Sequence, residues 1–405
     1  MKIPFSLPDI SEHEIDEVAA ALRSNWITTG PRTKELEKRL ADWLGTERCI
    51  CLNSQTSCAE MGLRLLGIGE GDEVITCAYT YTATASVVCH VGASLKLIDT
   101  QKDSLEMDYD ALENAITEKT KVIIPIDIGG VPCDYDRIFE IVEQKKHLFR
   151  PNNDLQKAIG RIIVCADTAH ALGAKIKDKM VGNIADFSAF SFHAVKNLTT
   201  AEGGALTWRT IDGVDNDMLY RRLQLMSLHG QSKDALAKSR LGGWEYDIVG
   251  TWYKCNMTDI SAALGLAQLD RYPDMLKRRR EIIEKYNAAL LPVGIKALDH
   301  YNGKHSSSGH LYITRVPEIS TEQRNEIIIK MADRGIACNV HYKPLPMFTA
   351  YKQLGFDIKD FPNSYANYKN EITLPLYSTL TDEQLQYITE NYIDILRAYS
   401  KQEII

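Results

Sequence analysis

Residues Ile184–Asn197 read IADFSAFSFHAVKN. Three phenylalanines, Phe187, Phe190 and Phe192, are set among small residues, which suits a buried strand. The run hands over a lysine, Lys196, just past its end. A lysine held there sits on a rigid element beside apolar surface. Desolvation disfavours its charged form and makes a neutral, nucleophilic amine accessible. Taken alone, the same lysine reads as an ordinary surface residue, so its neighbours decide.

Working outward, strand-like and helical segments alternate through the first two-thirds of the chain. Short apolar runs at 49–52, 73–76, 94–98, 121–126 and 162–166 read as strands. Helical patterns at 34–45, closed by Gly45, at 57–66 and at 135–144 fall between them. This order predicts an α/β fold with a mainly parallel central sheet flanked by helices. The polar stretch 145–160 (KKHLFRPNNDLQKAIG) reads as a surface excursion. From about 258 the pattern turns to long helices, 260–269 and 274–291, followed by a strand at 309–315 and helices at 321–334 and 382–398. A division into a large domain, 1–250, and a smaller C-terminal α+β domain, 251–405, is expected. The basic run Lys277–Arg280 reads as a solvated helix face.

The chain has 405 residues, 44% hydrophobic and 25% charged, with a net charge of −7. That balance offers no basic excess to neutralise phosphates along a nucleic acid, so no nucleic-acid partner is expected. No apolar run approaches the ~20 residues of a membrane span, and the N-terminus turns acidic before an apolar signal region could form. Nine scattered cysteines without a CxxC pair fit reduced thiols in a cytoplasmic protein. The ten histidines do not fall into metal-binding spacing, and no metal is expected. Gly67-x-Gly-x-Gly71 precedes a strand, whereas a dinucleotide loop follows one, so it reads as a turn.

Asp167 ends the 162–166 run and places a carboxylate at the carboxyl edge of the sheet. Such an acid often just caps a helix. It is also the anion that a pyridoxal ring needs against its pyridinium nitrogen to remain an electron acceptor. Asn53-Ser-Gln-Thr56 follows the first strand and opens a helix. Backbone amides and hydroxyls there suit an anion such as a phosphate, and a plain serine cap suits the same residues locally.

Several blocks in order, 25–30 (NWITTG), 53–75 (NSQTSCAEMGLRLLGIGEGDEVI), 167–174 (DTAHALGA), 188–204 (SAFSFHAVKNLTTAEGG), 253–269 (YKCNMTDISAALGLAQL) and 341–345 (HYKPL), resemble the DegT family of nucleotide-sugar aminotransferases. These are fold type I pyridoxal-phosphate enzymes. The resemblance covers nearly the whole chain and implies specific roles. Lys196 would hold pyridoxal 5'-phosphate as a Schiff base and shuttle the proton, and Asp167 would pair with the ring nitrogen. His170 would lie near the ring hydroxyl and Tyr81 would stack on the ring face. Ser54, Gln55, Thr56 and Ser191 would hold the phosphate. Lys254 would reach the phosphate of a neighbouring subunit, which implies a homodimer with shared sites. Thr29, His341 and Tyr342 would wall the sugar.

The implied reaction takes an amino group from L-glutamate, through the pyridoxamine phosphate form, to a nucleotide-linked keto sugar. Gln55 stands where the family usually has Gly, and Lys254-Cys-Asn256 stands where many members carry Asn-x-Arg. A sugar dehydratase of the same family would carry His in place of Lys196. An amino-acid aminotransferase would share the cofactor site without the HYKPL block, and a non-catalytic binding protein would not need every cofactor-contacting position competent.

Overall fold

The computed structural model describes residues 1–233 and 244–399. Thirteen strands are described among them. They are β1 (Cys49–Leu52), β2 (Glu73–Cys77), β3 (Ser94–Ile98), β4 (Thr120–Ile124), β5 (Ile163–Asp167), β6 (Lys175–Ile176), β7 (Lys179–Met180), β8 (Phe187–Ser191), β9 (Gly204–Trp208), β10 (Lys296–Ala297), β11 (His305–Ser306), β12 (Tyr312–Arg315) and β13 (Glu371–Leu374). Seven form one sheet in the order β1-β9-β8-β5-β4-β2-β3. The pairs β3/β2, β2/β4, β4/β5 and β5/β8 are parallel, and β9 runs antiparallel to both β8 and β1. The expected mainly parallel α/β sheet is therefore present. Strand β9 is an addition to the sequence reading: the chain turns back after Lys196 and inserts GALTW between β1 and β8.

Both faces of the sheet are covered, and the phenylalanine run shows why. Phe187 packs with Val164, Leu206 and Trp208 on one face. Phe190 and Phe192 point to the other, against Leu36, Leu40, Ala262 and Tyr272. Side chains alternate along a strand, so an odd-to-even switch between Phe187 and Phe190 requires apolar cover on both sides.

Helices α1 (Glu12–Arg23), α2 (Pro31–Leu44), α3 (Gln55–Leu65) and α4 (Thr82–His90) lie in the first half. Helix α2 has Gly30 at its N-cap, which offers no side chain to cap it. The buried carboxylate of Asp259 does so from a distance: Oδ1 accepts from the amides of Gly30 (2.8 Å) and Thr33 (2.9 Å), and Oδ2 from Arg32 (3.1 Å). A carboxylate at a helix N-terminus also meets the favourable end of the helix dipole.

Two sequence expectations are corrected. The two helices at 260–269 and 274–291 are one helix, Asp259–Leu290, running through Pro273. An interior proline costs about 3 kcal/mol, but Ala262, Leu269, Tyr272 and Met275 on one stretch and Ile282, Ile283, Tyr286 and Leu290 on the next are buried in two different cores. Burying eight such side chains outweighs one lost backbone bond. Second, the basic run is not all solvated. Four consecutive helical residues cover every face, and Arg279 falls inward, 3% exposed, donating to the carbonyls of Gly309, His310 and Leu376. Arg278 pairs with Asp382 and Arg280 with Glu284. The stretch 145–160 lies mostly at the surface, as expected, and contains a short helix, Asp154–Ile159, next to the end of α3. Asn153 Nδ2 and Gln156 Nε2 both donate to the carbonyl of Leu66 at 2.8 Å.

The second core, around Tyr286, Tyr312, Ile327, Leu374 and Tyr392, also takes Ile3 from the N-terminus. Conversely Leu345, Tyr351 and Phe361 pack back on Ala78, Ala85 and Leu97 of the main sheet's region. This return brings His341 and Tyr342 over the carboxyl edge of the sheet. No described helix is long and apolar enough to cross a membrane.

Candidate active site

Parallel strands end on the same side, so the loops after β4, β5 and β8 converge there. They border a cavity of about 350 Å³ lined by residues that include Ser54, Gln55, Thr56, Tyr81, Asp167, His170, Ser191, Lys196, His341 and Tyr342. Ten positions chosen from sequence thus share one cavity. Thr29 and Lys254 do not line it. They meet each other elsewhere through Asn256: Lys254 Nζ donates to Asn256 Oδ1, and Asn256 Nδ2 donates to Thr29 Oγ1 at 2.5 Å.

Asp167 is the last residue of β5 and is buried. Its Oδ2 accepts from Thr84 Oγ1 at 2.6 Å and its Oδ1 from the Ala169 amide at 3.1 Å. Burial pushes its carboxyl above the usual range; these two donors and the Lys196 charge pull the other way. Lys196 is half-buried in the turn after β8, where its amide donates to the carbonyl of His193 at 2.8 Å. Among the described residues its Nζ has no hydrogen-bond partner. Burial brings the amine down to about 8, against the opposing pull of Asp167. At a pH above that value the neutral nucleophile predominates.

His170 is held by two contacts that fix its tautomer. The Gly129 amide donates to Nδ1 at 3.2 Å, so Nε2 carries the hydrogen of the neutral ring and donates to the Tyr342 hydroxyl at 3.1 Å. Burial, then the nearby Lys196 charge, holds this imidazole well below its ordinary value. His341 is anchored by its amide to Glu371 Oε2 at 2.8 Å, by Nδ1 to Thr373 Oγ1 at 3.0 Å and by its carbonyl to the Tyr79 hydroxyl at 3.1 Å. Burial lowers its ring to about 3. Tyr81 precedes α4, remains exposed at the cavity, and lies 5.9 Å from the Tyr342 ring.

The other end of the cavity is the start of α3. Ser54 caps it, accepting from the Ser57 amide at 3.1 Å. The first amides of the helix, Gln55 and Thr56, find no acceptor within it and meet the positive end of its dipole. Gln55 Nε2 is buried without a hydrogen-bond partner among the described residues. Strand β9 approaches so closely that a Cβ on Gly204 would lie 2.5 Å from the Gln55 nitrogen. An orphaned amide donor, free helix amides and the Ser191 hydroxyl make a built cradle for a phosphate.

Sequence reasoning missed Thr84, Asn197 and His310. Thr84 had a legible signal, since Thr80 and Thr84 are four apart at the start of a helix, and their hydroxyls lie 2.9 Å from each other. Nothing in the sequence marked His310.

A family model described as the DegT/DnrJ/EryC1/StrS aminotransferase family matches residues 8–392. The chain belongs to that aminotransferase family. Among its relatives, the spore coat polysaccharide biosynthesis protein SpsC of Bacillus subtilis is 38% identical over 401 residues, covering 98% of this chain and 97% of that protein. Spr1654 of Streptococcus pneumoniae, solved under the description of a sugar aminotransferase, superposes in its PMP form with a TM-score of 0.96 at 55% identity, covering 98% of this chain and 100% of that one. Its PLP form gives 0.96 at 53% identity, covering 99% and 100%. Helicobacter pylori PseC, an aminotransferase involved in the biosynthesis of pseudoaminic acid, gives 0.86 at 27% identity, covering 98% and 100%.

Proposed function

We propose that this aminotransferase uses pyridoxal phosphate to carry an amino group from L-glutamate to a nucleotide-linked keto sugar, a 4-keto-6-deoxy sugar, for surface polysaccharide or related amino-sugar synthesis. One observation carries the reading. The unpaired amine of Lys196 lies in a cavity with the Asp167 carboxylate and a helix-start anion cradle. The Spr1654 forms carrying PLP and PMP, and the polysaccharide role in the SpsC name, support the cofactor and the sugar class.

When bound, pyridoxal phosphate supplies an electron-accepting ring and a carbonyl carbon that stores the amino group between two substrates. The chain's residues divide the remaining work. Ser54, Gln55, Thr56 and Ser191 hold the phosphate. Asp167 keeps a cationic ring nitrogen protonated, and Thr84 and the Ala169 amide stabilise its charge. Tyr81 offers a flat face to the ring, and His170 Nε2 and the Tyr342 hydroxyl orient its polar edge. Lys196 Nζ attaches the cofactor. Once released by the incoming amine, it takes the proton from the donor's α-carbon and later delivers one to the sugar carbon that receives nitrogen. A neutral amine is needed for the first of these steps, and burial favours it.

On this reading residues 1–250 bind the cofactor, while the smaller 251–405 domain closes the sugar side with His341 and Tyr342. Thr29, Lys254 and Asn256 serve the cavity of the second subunit in a homodimer with shared sites. The nine unpaired cysteines support a reducing, cytoplasmic setting.

The test is spectroscopic. Protein loaded with pyridoxal phosphate should lose its visible absorption on addition of L-glutamate, with one equivalent of 2-oxoglutarate formed. Adding a 4-keto-6-deoxy nucleotide sugar should restore it. No response to glutamate defeats the proposed donor. A response without recovery on any keto sugar points to an aminotransferase of amino acids.

A further inference from the structure

Residues Ser307–His310 leave β11 and reach the carboxyl edge of the main sheet before β12 begins at Tyr312. Residues 309–311 are expected to belong to that strand, but their backbone is engaged elsewhere. The Ser308 amide donates to the Gly130 carbonyl (3.1 Å), and the amides of His310 and Leu311 both donate to Gly129 (3.0 and 3.2 Å). Ser308 Oγ donates to the carbonyl of His170, and the Ser308 carbonyl accepts from Asn197 Nδ2 at 2.9 Å. One short strap thus ties together the loops after β4, β5 and β8. Gly130 is a glycine for this reason. Its φ is +91°, and a Cβ there would lie 2.1 Å from Ser308 Oγ and 3.0 Å from the His170 carbonyl.

The strap ends in an imidazole with two tasks. His310 is 4% exposed, and its ring centroid lies 4.3 Å from that of His170. The Asn197 amide nitrogen is committed to Ser308, which leaves Asn197 Oδ1 as the acceptor for His310 Nδ1–H at 2.8 Å. Asn197 directly follows Lys196. The ring therefore touches the neighbour of the reactive amine on one side and the face of His170 on the other.

We propose that His310 is a positioning residue for the aminotransfer reaction, setting the Lys196 turn and the plane of His170 from a single point, a role that rests on the function assigned above. A displacement of about 1 Å at a reacting group can cost on the order of 100-fold in rate, and Asn197 is the residue next to Lys196 in that turn. The Asn197 side chain bonds Ser308 through Nδ2 and His310 through Oδ1, and it also reaches the Tyr272 hydroxyl. Releasing His310 frees Asn197 Oδ1.

The experiment uses His310→Phe, which keeps a ring against His170 but loses the donor, and His310→Gln, which keeps a donor toward Asn197. On the cofactor-free protein, the pH dependence of amine modification at Lys196 is read by peptide mass spectrometry. With His310→Phe the midpoint should move from about 8 toward the ordinary lysine value of about 10, and His310→Gln should restore most of it. On the loaded protein kcat should fall on the order of 10- to 100-fold in His310→Phe with the KM for the amino donor little changed. Thermal melts and circular dichroism identify the folded variants, and Asn197→Ala, which removes the other partner, serves if His310→Phe does not fold. A folded His310→Phe or Asn197→Ala protein with an unchanged Lys196 titration overturns the proposal, whatever its turnover. Failure of the functional assignment shows separately, as loaded wild-type protein that does not respond to an amino donor.

Discussion

Removing the Thr84 hydroxyl should weaken cofactor binding by an amount the structure allows to be worked out. Thr84 Oγ1 lies 2.6 Å from Asp167 Oδ2 and 2.9 Å from Thr80 Oγ1. Its hydrogen goes to the carboxylate, so it accepts from Thr80, and the two hydroxyls form a short chain ending on Asp167. A hydrogen bond to a charged group is worth about 1.5–3 kcal/mol, and a buried hydroxyl left unpaired costs about 1–3 kcal/mol. Thr84→Val alone removes the first and inflicts the second on Thr80, which is 2% exposed. The informative comparison is therefore Thr80→Val/Thr84→Val against Thr80→Val, in which no hydroxyl is stranded. Burial raises the Asp167 pKa, so pairing with a cationic ring nitrogen must ionise it, and Thr84 supports that ionised form. Any share of the bond already made in the free protein appears as lost stability. The losses in cofactor affinity, from titration of the visible band, and in unfolding free energy should together reach about 1.5–3 kcal/mol, roughly 10- to 150-fold if all falls in affinity. A summed loss below about 0.5 kcal/mol would refute the claim that Thr84 supports the charge on Asp167.

Lys196→Ala should fold and still bind cofactor non-covalently, with turnover reduced by roughly 10⁴-fold; near-normal turnover would remove Lys196 from the chemistry. Gly204→Ala should destabilise the protein by about 1–3 kcal/mol and weaken phosphate binding, because a Cβ would meet the Gln55 nitrogen, the Ser54 carbonyl carbon and the Phe190 oxygen at 2.5–2.7 Å, and none of these is a side chain that can swing away; thermal melts and inorganic phosphate titration check this. Glu371 is buried, and its carboxyl is pushed from 4.5 up to about 8. The folded state thus keeps a proton that the unfolded chain has released, and stability is lost as pH rises from about 4.5 through 8. Relative to wild type, Glu371→Gln should melt progressively higher across that window, and a constant difference in Tm from pH 5 to 9 would show that Glu371 does not hold its proton.

The strand–helix alternation was legible because apolar runs and helix caps are local signals, and β1, β3 and the Tyr135–Gln144 helix lie where the sequence places them. What failed was decided by contacts distant in sequence. Strand β9 carries no pattern that says it runs backwards; its direction follows from its pairing with β1 and β8. Pro273 is a local stop signal, overruled by two cores that the helix serves at once. Arg279 looks like its neighbours 278 and 280 until the helix is rotated against Gly309, His310 and Leu376. Site residues divide in the same way. Lys196, Asp167 and the α3 start announce themselves by strand ends and turn chemistry, whereas His310 reads as part of a strand and acquires its place through hydrogen bonds to the loops after β4 and β8.

The shared direction of the perturbed groups supplies the physical logic of the cavity. Burial lowers Lys196, His170 and His341 and raises Asp167, so each group on its own is driven toward its neutral form. These four groups by themselves disfavour a ligand of one sign alone, because none of them holds a fixed opposite charge. The cavity suits a ligand that brings its own separated charges, an anion to the α3 amides and a cation to Asp167. The neutral His170 then acts as a directional donor and acceptor with a fixed tautomer, which a charged imidazolium could not do at Nδ1, where the Gly129 amide already points. Desolvation therefore serves recognition and chemistry together: it keeps Lys196 nucleophilic, makes the ionisation of Asp167 depend on what pairs with it, and leaves the anion to the one part of the site whose partial charge does not titrate.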